Sequence, residues 1–370
     1  MEIYDGFVHD VCETHGCRMH RKDKKAFRKY LIEQARAMGY DVREEKSILG
    51  TNVVVGNPAD ASTICTAHYD TPPRLPKFVV KHMILTSFIM LPAILLGISY
   101  GLPQLLIGKI SVKALQAVLT GISIGEYGLM GGMVAYLFGC LGGANKKNFN
   151  DNSSGCVTLL KLMKKYEHAP KDVKSKLCFS FFDNEEKGLL GSMAFRLKHN
   201  KHLDNQTFMN FDCVGKGDQF NLYYFGKNKP QIVQEMENTQ MSNGYITKPI
   251  RSSMMSMSDH LLFKKFNHVC FLSVDQKNNK SLYSQIHSSN DTELDTMNLD
   301  VICETVSNSS AFKLAKPEVE LNFEKPENLY TLDNAHIINH ENASSEEIRN
   351  RVLANYLKND SNDHSDEMVA

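Results

Sequence analysis

The segment Leu177–Phe182 reads LCFSFF, a run without a single charge. A strand apolar on both sides cannot lie half in water. It predicts the interior of a sheet that helices cover on each face. The flanking sequence repeats this logic. Helical spacing marks Lys24–Tyr40 (KKAFRKYLIEQARAMGY), Cys156–Tyr166, a segment from Gly188, Pro230–Met241 and Leu299–Lys316. Between them stand the β-branched or aromatic runs NVVVG, TICTA, TFMNFDCVG, NLYYFG and HVCFLSV. Strand and helix in alternation predict an α/β fold, a mixed, mostly parallel sheet flanked by helices.

Two longer apolar runs interrupt that order, about 78–100 (FVVKHMILTSFIMLPAILLGISY) and about 114–140 (ALQAVLTGISIGEYGLMGGMVAYLFGC). Each exceeds the roughly 20 residues that a helix needs to cross a hydrocarbon core. They predict an inserted two-helix transmembrane hairpin, with a buried helical hairpin of a soluble protein as the competing reading. Arg74, Lys77, Lys81, Lys146 and Lys147 flank its outer ends, while the connector holds Lys109 and Lys113. The positive-inside bias then places both flanking parts in the cytoplasm. Glu126 falls within the second run, as a functional group or as a protonated or satisfied one. Gly121, Gly125, Gly128 and Gly132 allow close helix contact, within the chain or in a homo-dimer.

The expected organisation is residues 1–76 and 143–316 as two parts of one α/β domain, 77–142 as the inserted hairpin, and 317–370 as a polar, partly disordered tail. Within that tail Ser344 and Glu347 form a capping box before IRNRVLANYL. Formal net charge is zero, so no global field favours nucleic acid. The opening MEIYDGFVHD lacks the pattern of a signal peptide, and the nine cysteines show no CxxC spacing. Both point to a reducing, cytoplasmic setting.

Ligands of open α/β sheets bind beyond the carboxyl ends of the strands. The polar residues expected there are His68 and Asp70 (TAHYDTPP), Asp151 (NFNDNSSG), Glu185 and Glu186 (DNEEKGLLGS), Asp212 (NFDCVG) and His287 (SQIHSSNDTELD). Two histidines with carboxylates and no thiolate suit zinc or a similar divalent metal at a hydrolytic site. Such a set is too large for one open zinc and fits two metals, each with a histidine and a carboxylate, sharing a bridging aspartate. On an extended segment neighbouring side chains diverge. Glu186 can therefore ligate metal while Glu185 faces the water as general base.

These blocks, with SDHLLF and with the hairpin removed, resemble metallopeptidase family 28, the co-catalytic zinc aminopeptidases. Relatives of that family include glutamate carboxypeptidases, glutaminyl cyclases and the transferrin-receptor ectodomain. The resemblance implies the fold of zinc-dependent exopeptidases and two zinc ions, or another divalent metal such as cobalt or manganese. By it His68, Asp151, Glu186, Asp212 and His287 are the metal ligands, with Asp151 bridging. Glu185 is the general base, and Asp70 orients His68. It further implies a cis peptide between Asp151 and Asn152. Three departures stand out: the hairpin itself, Met255 where several members place an oxyanion-stabilising tyrosine (Tyr283 being the substitute considered), and Asn184 in place of a small residue.

The expected activity is that of a membrane-anchored, zinc-dependent aminopeptidase acting on peptides. The alternatives are a non-catalytic receptor or scaffold of the same fold, or a cyclase or carboxypeptidase reaction at the same site.

Overall fold

The computed structural model describes residues 2–74, 143–252, 258–275 and 286–313. The proposed hairpin with Glu126, the positions Met255 and Tyr283, and the tail lie outside the described residues. Among those described, no helix is long and apolar enough to cross a membrane. The chain divides into two units, Met1–Met241 with Tyr245–Pro317, and Ser242–Gly244 with Glu318–Ala370. Of the second, the described part is the 3-10 turn Ser242–Gly244. All other described elements belong to the first.

Helices α1 (Glu2–His9) and α2 (Arg21–Ala37) precede strands β1 (Val42–Ser47), β2 (Gly50–Val55) and β3 (Thr63–His68). Then come α3 (Gly155–Lys165), α4 (Lys171–Ser175), β4 (Leu177–Phe182), α5 (Leu190–His199), β5 (Thr207–Phe211) and β6 (Gln219–Tyr224). Helix α6 (Gln231–Asn238), strands β7 (Ile246–Arg251) and β8 (Asn267–Val274), and helices α7 (Thr296–Ser307) and α8 (Ser310–Lys313) complete it.

The strands form one eight-stranded sheet in the order β1-β2-β4-β3-β5-β8-β6-β7. Its centre, β4-β3-β5-β8, is parallel, whereas the β1/β2, β2/β4 and β6/β8 pairings are antiparallel. Burial explains the parallel centre. Every residue of LCFSFF is buried, and alternate side chains of β4 enter two separate cores. Leu177, Phe179 and Phe181 join the larger core with Phe27 and Leu31 of α2 and Leu159 and Leu160 of α3. Cys178 and Phe182 join the smaller one with Phe195 of α5 and Phe263. Burying one such aromatic contributes roughly 1.5–3 kcal/mol before entropy is counted.

Two strands were not expected from the sequence. In β1 (VREEKS) charge hides the strand, which lies at the sheet edge with only Glu45 buried. In β7 (ITKPIR) Pro249 argues against a central strand, and β7 is the other edge, where proline is tolerated.

Candidate metal centre

The parallel register brings the ends of the central strands to one level. His68 ends β3 opposite Phe182, which ends β4, and the Tyr69 amide donates to the Phe182 carbonyl at 2.8 Å. Glu185 and Glu186 follow β4 in a turn whose Asn184 has φ 57°. This corrects the expectation of an extended pair. The two side chains are set by the turn, in which the Glu185 carbonyl accepts from Gly188 and Leu189, and by Asp70. The Asp70 carboxylate takes the Glu185 amide at 2.9 Å and the Glu186 amide at 3.4 Å.

The third loop, Phe149–Ser154, precedes α3 and carries Asp151 with a cis bond to Asn152. Asn152 stitches this loop to the end of β5. Its amide group donates to the Phe211 carbonyl at 2.9 Å and accepts from Gly155 at 2.9 Å and Cys213 at 3.3 Å. Gly155 makes that approach feasible, since a Cβ there would stand 2.3 Å from the Phe211 carbonyl oxygen. Asp212 is the residue after β5, and His287 (φ 57°) comes from the loop before α7.

All seven residues singled out from the sequence meet at this edge. Nε2 of His68 lies 3.4 Å from one Asp151 oxygen and 3.6 Å from Asp212. The other Asp151 oxygen lies 3.1 Å from Nε2 of His287, which is 3.6 Å from Glu186. Two groups thus could each hold a divalent cation, His68–Asp151–Asp212 and Asp151–Glu186–His287, their ligand atoms lying within 4.8 Å of one another in each. Asp151 is common to both and faces a different imidazole with each oxygen. A third combination, His68–Glu185–Glu186, satisfies the same spacing. Nδ1 of His68 is 3.1 Å from the main-chain carbonyl of Asp70, but 3.6 Å from its carboxylate. The carbonyl therefore fixes the ring, with Nδ1 as donor and Nε2 free toward the acids.

The charges are out of balance. Burial pushes the Glu185 and Glu186 carboxyls well above the ordinary glutamate range, and the neighbouring acids add to it. Burial likewise raises Asp259 to about 7, reinforced by Asp212 and Asp70. Asp151 goes the other way. Burial favours its neutral form, but the hydrogen bonds and charges of His287 and His68 outweigh that and lower its pKa. Burial also opposes protonation of His68, yet Glu185, Asp151, Asp212 and Asp70 hold its pKa well above the usual value. A pocket that raises Glu185, Glu186 and Asp259 beside two histidines has a donor set that suits a divalent cation.

Sequence reasoning missed four residues that shape this site. Asp291 is buried, and its two oxygens accept the amides of Asn150 at 2.8 Å and Asp151 at 3.0 Å. Asp259, in the SDHLLF block, is fully buried, and neither oxygen has a hydrogen-bond partner among the described residues. Arg18 is also fully buried, donating to the Tyr69 carbonyl at 2.6 Å and to the Ser153 hydroxyl at 3.0 Å. Lys24 reaches the turn that holds the glutamates. The two acids sit in the SDHLLF and IHSSNDT blocks and were findable there; the basic residues carry no local signal.

The sequence model of peptidase family M28 matches residues 141–311. That range holds Asp151, Glu185, Glu186, Asp212 and His287, while His68 and Asp70 precede it. No curated protein sequence matches the chain significantly. Among solved structures, a glutaminyl cyclase of Porphyromonas gingivalis is similar with TM-score 0.53 at 17% identity, over 85% of this chain and 97% of that one. The LapA aminopeptidase of Legionella pneumophila gives 0.51 at 12% identity, over 86% and 69%. A glutaminyl cyclase of Tannerella forsythia gives 0.51 at 13%, over 83% and 96%. At these identities the likeness concerns the fold, while the match to the sequence model of peptidase family M28 is confined to residues 141–311, the stretch that holds the strand-end acids Asp151, Glu185, Glu186 and Asp212 together with His287.

Proposed function

We propose that this chain is a zinc-dependent exopeptidase of the aminopeptidase type, with two metal ions and Glu185 as general base. The observation that carries the reading is the shared aspartate, one Asp151 oxygen toward His68 and the other toward His287. His68, Asp151 and Asp212 would hold one ion, and Asp151, Glu186 and His287 the other. Bound there, the metals supply Lewis acidity for the scissile carbonyl and a lowered pKa for water.

The protein supplies the rest. Asp70 orders the site twice over, fixing the His68 ring with its carbonyl and the Glu185–Glu186 backbone with its carboxylate. Glu185, whose amide Asp70 holds beside the two metal groups, would take a proton from water and return it to the leaving amine.

The same proposal covers where the enzyme works. The apolar runs 78–100 and 114–140 anchor it in a membrane as two spans, with the catalytic domain on the cytoplasmic side. Its partner is the peptide substrate, and the glycine-bearing helix faces support a homo-dimer. A second reading is cyclisation of N-terminal glutamine at the same site, favoured by the fold neighbours named as glutaminyl cyclases.

The test uses the full chain purified in detergent, with elemental analysis and a panel of N-terminal amino-acid amides. About two zincs per chain are expected, and Glu185→Gln is expected to lose roughly 10²–10⁴-fold in kcat while keeping its metal. Zinc without amide turnover, but with ring closure on glutaminyl peptides, selects the cyclase. A protein that stays inactive and metal-free after zinc is supplied refutes both.

A further inference from the structure

We propose that Lys24 of α2 is a positioning residue for Glu185 and Glu186. It rests on the reading of those two glutamates as base and ligand, but it is testable without metal.

Lys24 occurs in the run RKDKK, whose other basic residues point to solvent or its margin, yet it is 5% exposed. Its ammonium donates to Asp183 Oδ1 at 2.6 Å and to Asn184 Oδ1 at 2.7 Å, and stands 4.0 Å from Asp70 Oδ2. Those three residues are the supports of the glutamate turn. Asp183 and Asn184 immediately precede Glu185, and Asp70 holds the amides of Glu185 and Glu186.

The other contacts of the turn show why one ammonium matters. The second Asp183 oxygen accepts the Thr51 amide at 3.0 Å, and the Asp183 amide donates to Asn52 at 3.0 Å. The Asn184 side chain donates to the Leu49 carbonyl at 2.8 Å, so its left-handed backbone is held from both ends of the amide. Asparagine adopts that conformation more readily than most residues. Strand β2 and the residue before it therefore hold the turn by neutral donors and acceptors. Lys24 is the buried cation that hydrogen-bonds Asp183 and stands beside Asp70, while Lys187 of the turn, which also feels both carboxylates, makes no hydrogen bond to either among the described residues. A neutral side chain in its place leaves two buried carboxylates facing one another, and the turn relaxes by moving them apart. That motion displaces Glu185 and Glu186, the next residues along.

The decisive measurement is hydrogen exchange of the full chain in detergent, metal-free, comparing wild type with Lys24→Met. The amides of Glu185 and Glu186 are expected to exchange at least about tenfold faster, with the peptides of β3 and α3 unchanged. Zinc affinity, read by competition with a chromophoric chelator, is expected to fall by about 10–100-fold, as for other outer partners of metal ligands. In turnover, kcat falls and KM holds. If Lys24→Met does not fold, Lys24→Gln keeps an N–H donor without the charge and is expected to give the same local change in smaller measure. Unchanged exchange over residues 183–189, or an increase spread evenly across the sheet, overturns the proposal. Because exchange is read without metal, a wild type that fails to bind zinc counts against the proposed function alone, and the exchange rates still decide the role of Lys24.

Discussion

Two buried clusters in this protein pair histidine with carboxylate, and they resolve their charge in opposite ways. On the antiparallel flank, Glu45 of β1 meets His199 Nε2 at 2.9 Å, Arg43 at 2.9 Å and Lys198 at 3.2 Å. One acid is surrounded by donors. Burial alone raises the Glu45 pKa, but His199, Arg43 and Lys198 outweigh it and bring it down to about 2. At the strand ends, His68 and His287 face Asp70, Asp151, Glu185, Glu186, Asp212 and Asp259, with Lys24 at the margin. There Glu185, Glu186 and Asp259 are raised by burial and by neighbouring acids, while the histidines hold Asp151 down. The flank carries its own counter-charge, whereas the strand ends gather acids around two histidines in groups that could hold a cation.

The sharpest way to break that contrast is to remove the residue common to both metal groups. Asp151→Ala is expected to lose both ions and at least about 10³-fold in kcat, given the several kcal/mol that metal polarisation is worth. Elemental analysis beside amide hydrolysis checks it, and activity within tenfold of wild type would show that no bridging aspartate is used. The corresponding change on the flank should leave activity alone and strike stability. Glu45→Gln is expected to destabilise by about 3 kcal/mol at neutral pH, since it removes the anion that three donors share. The sign follows from the depressed pKa. Stability from an acid whose folded pKa is lowered is present above the unfolded value, about 4.3, and is lost as pH falls through the folded one. Denaturation curves should therefore converge for wild type and variant between about pH 4.3 and the Glu45 value of about 2. A constant gap across that window would assign the effect to packing instead.

The sequence was a good guide where burial is symmetric and a poor one where charge is hidden. LCFSFF announces a central strand because all of it is buried, and the structure has β4 at Leu177–Phe182. Strand β1 carries the same number of residues, but VREEKS is mostly charged and only Glu45 of it is buried, so no apolar run announces it. The site acids were legible because motifs place them at strand ends. The geometry of the glutamate pair was not, because it sits in a turn held by Asp70 and not on an extended strand. Lys24 and Arg18 were illegible for a different reason. A basic run reads as solvated, and only tertiary contacts show which cation is drawn inside.

The finest distinction between the clusters lies in what neutralising one acid does to metal-free protein. Glu186 is a partner of His287 at 3.6 Å, and its side chain is 10% exposed. If it were balanced like Glu45, Glu186→Gln would cost stability. Its pKa is raised instead, by burial first and by Asp151 among its neighbours. For an acid with a raised folded pKa, ionisation favours the unfolded chain. Metal-free stability should then fall as pH climbs above about 4.3, until the folded group has itself ionised. Glu186→Gln removes that loss, so the metal-free variant is expected to be more stable than wild type at neutral pH. Zinc should reverse the order, because the variant forfeits a ligand and with it part of the stabilisation that binding confers. Chemical denaturation with chelator and with excess zinc reads both halves. A variant less stable than wild type in chelator would mean that the strand-end acids are balanced by the protein after all, as Glu45 is.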